Sequence, residues 1–278
     1  TIVGVWECVA SMTSPRAEPI AALSVAIIAS NEERHIGDAL SSVVNLAGEI
    51  VAVIDSRSRD ATAAICQDYG ARVYVEPWRG FPAQRNRALD LCAGAWVLFL
   101  DADERVMPDL ADEIRAVLTG GTDRAGFWIP RHNLFFGQRL QGGGWYPDEQ
   151  LRLMRRDRAR YNEARLVHEF AMLDGPTDRM RGHLLHLNIE RIDELWRKQR
   201  SYAIQEAQTL FLDGAPVRWR SFIGAPAREF YRRFVTLHGY RDGALGLFLC
   251  ATMAYFEVVK HVHLKGLTPF RRNLSLRR

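Results

Sequence analysis

Lysine is nearly missing from this chain. Of the 37 basic residues among 278, only Lys198, Lys260 and Lys265 are lysine, so the formal charge of +4 and the sequence pI of about 9.0 rest on arginine. Arginine offers phosphate a planar fork of two parallel donors, although the codon preference of a GC-rich genome accounts for the bias equally well. No recognition motif for nucleic acid accompanies the charge, so nucleic acid is not expected as a partner. Cysteine is also scarce. Cys8, Cys66, Cys92 and Cys250 form no C-x-x-C pair, which excludes a zinc ribbon or a disulfide framework and favours a reducing compartment. Cys66 and Cys92 fall within apolar helical patterns and read as buried thiols. Internal repeats are lacking, and Thr1–Ala10 has no basic n-region, so a secretory signal is not expected. What remains is an ordinary globular balance, 47% apolar and 25% charged.

Residues 1–22 read as a disordered lead-in. From Leu23 onward, strand-like and helix-like patterns alternate. Leu23–Ala29 is a buried strand, Glu33 to Val44 a helix, Ile50–Ile54 a strand, and Asp60 to Tyr69 a helix closed by Gly70. Arg72–Val75, a helix over Pro82 to Leu91, the strand Trp96–Leu100 and a helix from Pro108 to Leu118 follow. This alternation predicts a mostly parallel sheet covered on both faces. After Gly121 the rhythm changes. Phe127–Pro130 and Leu151–Met154 read as strands around the glycine-rich segment Gly142-Gly-Gly-Trp-Tyr-Pro. From Ile192 the chain reads as helix, broken near Asp213–Pro216 and Gly239–Gly243. The expected organisation is a domain over 23–190 and a helical region over 191–278.

In open α/β sheets, ligands bind beyond the carboxyl ends of the strands. Here those ends carry Ser30-Asn31-Glu32-Glu33, Asp55-Ser-Arg57-Ser-Arg59-Asp60 and Asp101-Ala-Asp103-Glu104. Asp60 reads as a helix cap. Asp101 and Asp103, two residues apart after a fully apolar strand, suit a hard divalent cation, Mg2+ or Mn2+, which takes oxygen ligands and shares them with substrate phosphates.

The ordered set Leu-Ser-Val-x-Ile-Ile-Ala-x-Asn-Glu-Glu, Ile-Asp-Ser-x-Ser-x-Asp, Gln84-Arg85-Asn86-x-Ala88 and Leu-Asp-Ala-Asp-Glu resembles glycosyltransferase family 2. The group within it that transfers β-1,4-glucose to the lipopolysaccharide core is most similar, through Trp78-Arg-Gly-Phe, Gly143-Gly-Trp-Tyr-Pro-Asp-x-Gln-Leu-Arg-Leu, Val167-His-Glu and Leu185-His186. The resemblance implies an α/β GT-A (Rossmann-like) nucleotide-sugar fold with a C-terminal helical, membrane-associating region. It implies that Ser30, Asn31, Glu32 and Asp55 hold the base and ribose. Asp101 and Asp103 would meet the ribose and the metal-bound diphosphate, with Arg85 and Asn86 near the donor. It further implies a UDP-sugar, UDP-glucose above all, and a lipid-linked saccharide acceptor at the cytoplasmic face of an inner membrane. Arg57 and Arg59 stand where the family pattern carries Gly and Thr. Two arginines there either crowd the nucleotide or add phosphate contacts.

Glycosyl transfer also needs a base for the acceptor hydroxyl. Asp148, between the glycine-rich segment and the Leu151 strand, is the expected one, with Glu149 its nearest rival. His168, Glu169 and His186 are candidates for a further metal or diphosphate contact, and Trp145 and Tyr146 for a sugar-stacking lid or for core packing. Ala244–Val259 is apolar except for Thr252 and Glu257 and lies between arginine-rich stretches. It is shorter than the ~20 residues of a spanning helix, so peripheral or re-entrant attachment is expected, against a buried core helix. Two other readings compete. A sugar nucleotidyltransferase would need a glycine-rich turn where this chain has Asn-Glu-Glu. A catalytically silent membrane scaffold draws its support from Arg57 and Arg59.

Overall fold

The computed structural model describes residues 18–163 and 171–275, with side chains as far as 267. The chain divides into two compact units, Thr1–His132 with Glu149–Leu187, and Asn133–Asp148 with Asn188–Arg278.

The first unit is built on a parallel set of strands, the inner three of which are buried along most of their length. β1 (Ile20–Ala29), β2 (Ala47–Asp55), β3 (Arg72–Glu76) and β4 (Trp96–Phe99) pair in parallel in the order β3-β2-β1-β4. Along them the side chains alternate between two cores. Val25, Ile27, Ile50, Ala52, Ile54, Trp96 and Leu98 face one, Ala26, Val51, Val53, Val97 and Phe99 the other. The first core is closed by α1 (Ile36–Ser41), α2 (Thr62–Asp68) and α4 (Pro108–Gly120), the second by α3 (Phe81–Leu91). Burial on both faces is why β1, β2 and β4 read as apolar runs, while β3, at the sheet edge, is only partly covered.

The sheet is mixed, and this corrects the expectation of a mostly parallel one. β8 (Asp148–Arg155) joins β4 antiparallel, and beyond it lie β6 (Gly126–Phe135), β12 (Leu184–Ile189) and β5 (Glu104–Val106), the last antiparallel to β12. The helix expected from Glu33 to Val44 is regular over only the six residues of α1; turns occupy the rest, and on the N-terminal side the amides of Glu32 and Glu33 are taken by Thr62 and Asp60.

The second unit packs Phe135, Leu140, Ile189, Leu195, Leu249 and Met253 into a core of its own. Its helices are α5 (Ile192–Leu212), α6 (Ser221–Tyr231) and the 33-residue α7 (Gly243–Ser275). Over its most apolar stretch, Gly239–Leu267 reaches a mean hydropathy of 1.4, enough by length and composition to cross a membrane, and 39% of that stretch is buried within the protein. The acid within it is answered locally. Glu257 pairs with Lys260, which also reaches Glu206 on α5 at 3.0 Å.

Candidate active site

The carboxyl ends of β1 and β2 are laced together. Asn31, in the left-handed region at φ 56°, donates its backbone N–H to Ser58 Oγ at 2.9 Å and accepts the Arg59 N–H on Oδ1 at 2.8 Å. The Glu32 N–H reaches Thr62 Oγ1 at 2.7 Å, and Asp60 takes the amides of Glu33 and Thr62 at 2.9 and 3.1 Å; the helix N-cap itself is Ala61, one residue beyond the Asp60 expected there. Ser30, Asn31, Glu32 and Asp55 therefore lie around one edge. Asp55 is buried, and Arg57 closes on it from solvent. The guanidinium donates Nη2 to Oδ2 at 2.6 Å and Nε to both oxygens, and the Arg57 amide adds a further bond at 3.0 Å. These bonds hold the Asp55 carboxyl below the usual aspartate range.

At the end of β4 the chain turns through Asp101, Ala102 and Asp103 into β5. The fully buried Arg105 fastens this turn by donating to the carbonyls of Ala102 and Glu104, both at 2.9 Å. Glu104, also wholly buried, accepts the Asp101 amide at 3.0 Å and binds Arg152 at 2.7 Å and Arg131 at 2.9 Å. Arg152, brought by β8, grips Asp101 as well, and Arg85 of α3 approaches the same carboxylate at 3.4 Å. Burial alone would raise the Asp101 carboxyl, but the guanidinium groups of Arg152 and Arg85 hold it well below the usual carboxylate range. Burial disfavours the Arg152 charge, yet Asp101 and Glu104 push its pKa above the ordinary arginine value. Arg85 lies over the rings of Phe99 and Tyr161 at 5.4 and 5.6 Å. The Nε–H of Arg152 has no acceptor among the described residues, so the cluster carries an unanswered donor.

Asp103 points to a different partner. β12 lies beside β5, with His186 opposite Glu104, and this register sets His186 Nε2 3.3 Å from Asp103 Oδ2. Among the described residues, no three His, Cys, Asp or Glu side chains converge as a preformed metal cage. Asp103 and His186 nevertheless offer one oxygen and one nitrogen at a common point, and Mg2+ or Mn2+ commonly completes its shell with substrate phosphates and water. Asp101, the other expected ligand, is engaged by Arg152. Asn86 is engaged too. Its amide accepts the Tyr161 N–H at 2.8 Å and donates to the Tyr161 carbonyl at 2.9 Å, clipping α3 to β9 (Ala159–Tyr161). Of the Arg85–Asn86 pair, Arg85 is the one at the acidic turn.

In the second unit Asp148 accepts a hydrogen bond from Asn133 Nδ2 at 2.9 Å, and the same buried amide donates to the Trp145 carbonyl at 2.8 Å. The glycine-rich segment before it is tied down. Asp242 takes the amides of Gln141 and Gly142 at 2.7 and 3.0 Å, and Arg233 donates to the Gly143 carbonyl at 2.8 Å. Gly143 and Gly144 adopt φ of 66° and 84°, conformations that side chains resist. Trp145 packs on Phe135 at 5.6 Å beneath Arg233, which favours core packing over a lid for this residue. His168 and Glu169 lie outside the described residues.

The sequence places Glu104 in the acidic cluster without a role of its own, and it singles out neither Arg131 nor Arg152. Arg152 stood within the Gln-Leu-Arg-Leu string without a role. An arginine flanked by leucines in a strand was the available signal, since a charge there is buried only when it is paired.

Residues 24–174 match the family model for glycosyl transferase family 2. This chain belongs to that family. The glycosyltransferase is GT-A-like in its α/β fold with a mixed sheet. It is 31% identical over 240 residues to the lipopolysaccharide core biosynthesis glycosyltransferase LpsC of Rhizobium meliloti, a match spanning 84% of this chain and 88% of the relative. It is 42% identical over 95 residues, about a third of each chain, to an uncharacterized glycosyltransferase of Rickettsia felis. Among solved structures it is similar to S. aureus TarS 1-349 in complex with UDP, with a TM-score of 0.45, 14% identity and coverage of 90% and 91% of the two chains.

Proposed function

We propose that this family 2 glycosyltransferase moves a hexose, glucose first among candidates, from a uridine diphosphate sugar to a lipid-linked saccharide such as a lipopolysaccharide core. The observation that carries the donor half is the gathering of Arg85, Arg131 and Arg152 about the Asp101–Glu104 turn. Guanidinium groups preset around a point of developing negative charge favour departure of a diphosphate. Ser30, Asn31, Glu32 and Asp55 are assigned to the base and ribose, Arg85 and Asp101 to the diphosphate end, and Asn86 to the support of Arg85. The residues fit a divalent cation through Asp103 and His186, with Asp101 available once Arg152 turns to phosphate. Such an ion supplies Lewis-acid stabilisation of the leaving diphosphate. Asp148, steadied by Asn133, is the proposed base for the acceptor hydroxyl. Direct displacement by that hydroxyl inverts the anomeric carbon.

The acceptor half rests on the match to LpsC over most of both chains and on the apolar α7. Peripheral attachment at the cytoplasmic face of the membrane would bring a lipid-linked acceptor within reach.

Thermal stability of the protein against a panel of nucleotides and nucleotide sugars, with and without Mn2+, tests the donor half. A UDP-sugar at ~100 times its dissociation constant should add ~2.7 kcal/mol of stability. This gain should shrink in Asp103→Ala without loss of fold. A second reading, a silent scaffold, is favoured by one contact, the closure of Arg57 on Asp55. Absence of any nucleotide effect in the wild type, with an effect regained in Arg57→Gly, would support it.

A further inference from the structure

Exposed apolar side chains are unevenly shared. Among the described residues, thirteen of the eighteen large hydrophobic side chains that face solvent belong to the second unit. On α7, Phe248, Tyr255 and Val262 recur every seven residues, two turns apart, and form one outward stripe. Beside this stripe a cleft of about 730 Å³ opens between α5 and α7. Its wall is aromatic: Trp196 meets Tyr255 edge-on at 5.3 Å and Phe256 at 5.2 Å. Its rim carries Arg197, Arg200 and His263, and no acidic residue lines it. A smaller hollow of about 380 Å³ shares Ile204 and His263 with it and runs to Val262 and Leu267.

The acids nearby are already answered. Glu206 and Glu257 bind Lys260, and Asp193, bonded by Arg191 at 2.9 Å, stands 3.8 Å from Arg197. Arg200 has no hydrogen bond or ion pair among the described residues. A site for a neutral sugar would set carboxylates or amides around its rings. Here guanidinium groups stand over an aromatic trough, which is the complement of an amphiphile with an anionic head.

We propose that the α5–α7 cleft receives the phosphate-bearing headgroup of an anionic membrane phospholipid, with its acyl chains lying along the Phe248–Tyr255–Val262 stripe. This names the lipid partner within the membrane attachment proposed above and rests on that reading.

The test is co-sedimentation of the full chain with vesicles of phosphatidylcholine alone or mixed equally with phosphatidylglycerol. The wild type should bind the mixed vesicles and not the neutral ones. Each arginine near an anionic surface contributes ~5-fold, so Arg197→Gln with Arg200→Gln should weaken binding ~25-fold. Both side chains are exposed, so this double variant should melt as the wild type does. Arg218→Gln with Arg220→Gln removes equal charge from the same unit outside the cleft and should change binding by no more than ~2-fold. Trp196→Ala should weaken binding at unchanged charge. Equal losses in the two double variants, equal binding to neutral vesicles, or no binding at all would overturn the proposal. The assay contains no nucleotide and no sugar, so its failure is separate from failure of the donor reading.

Discussion

Two carboxylates share Arg152, and neither would tolerate its loss. Glu104 is wholly buried and Asp101 is two-thirds covered. Arg152→Gln leaves their charge facing Arg131 and Arg85 alone. Breaking a buried pair from one side costs ~3 kcal/mol or more, and Arg152→Lys should not rescue it, since an ammonium cannot span both acids with a planar fork. Urea unfolding of the two variants checks this; wild-type midpoints would show that the cluster contributes nothing to the fold. A different outcome is expected at Asp148. Asp148→Asn should keep the nucleotide-induced gain in thermal stability while turnover falls ~10²–10⁴-fold, the usual contribution of a general base. Asn133→Ala, which removes the group steadying Asp148, should lower turnover less and shift the pH profile, a readout that mere loss of packing would leave in place. The described thiols have no such role. Burial pushes Cys66 and Cys250 up to about 11 and Cys92 up to about 12. Since the thiolate is the reactive form, alkylation at neutral pH should spare all three until the protein is denatured.

At the scale of elements, the ends of β2 have separate duties. Asp55 closes one end at the candidate site, while Glu49 near the other binds Ser24 Oγ at 2.5 Å, Arg72 at 2.8 Å and the amides of Ala93 and Gly94. Burial would raise the Glu49 carboxyl, but these donors bring it below the ordinary glutamate value of 4.5. A carboxyl depressed in the folded state adds stability that is complete above its unfolded value and is lost as pH falls through the native one. Stability should therefore decline as pH drops below 4.5, and the decline should be shallower in Glu49→Gln. Denaturant midpoints across this range measure it. In the second unit Asp242→Ala would strand the amides of Gln141 and Gly142, at a cost of ~2 kcal/mol. The elements differ in how openly the sequence announces them. β1, β2 and β4 are legible because double-sided burial writes them as apolar runs. β5 (Glu-Arg-Val) is three residues long and holds its charges in ion pairs, so no alternation marks it. The candidate site divides likewise. Asp101 and Asp103 follow an apolar strand and can be placed by position, and His186 is named through the resemblance, whereas Arg131 and Arg152 reach the turn through pairings that no local spacing records.

For the whole molecule, the uneven surface has a solution consequence. Leu212, Trp219, Ile223 and Tyr231 are each more than 60% exposed, all in the second unit. Apolar side chains concentrated in this way favour association. Light scattering should rise with protein concentration in plain buffer and fall when a nonionic detergent is added; indifference to detergent would point to a surface too dispersed to self-associate. The two-unit division follows from no composition shift in the sequence, because Asn133–Asp148 leaves the first unit's chain and Glu149 resumes it.

That interruption sets an order of events during synthesis. β8, the partner that β4 needs on its open side, emerges from the ribosome only after the Asn133–Asp148 excursion, and β12, which secures β5, comes later still. His186 stands 83 positions after the Asp103 it faces. A nascent chain that has not yet exposed β8 would thus carry β4 unpaired on one flank, and β5 would wait longer still for β12. Contacts this distant close late and slowly. The candidate donor site can take shape only once two-thirds of the polypeptide has been made.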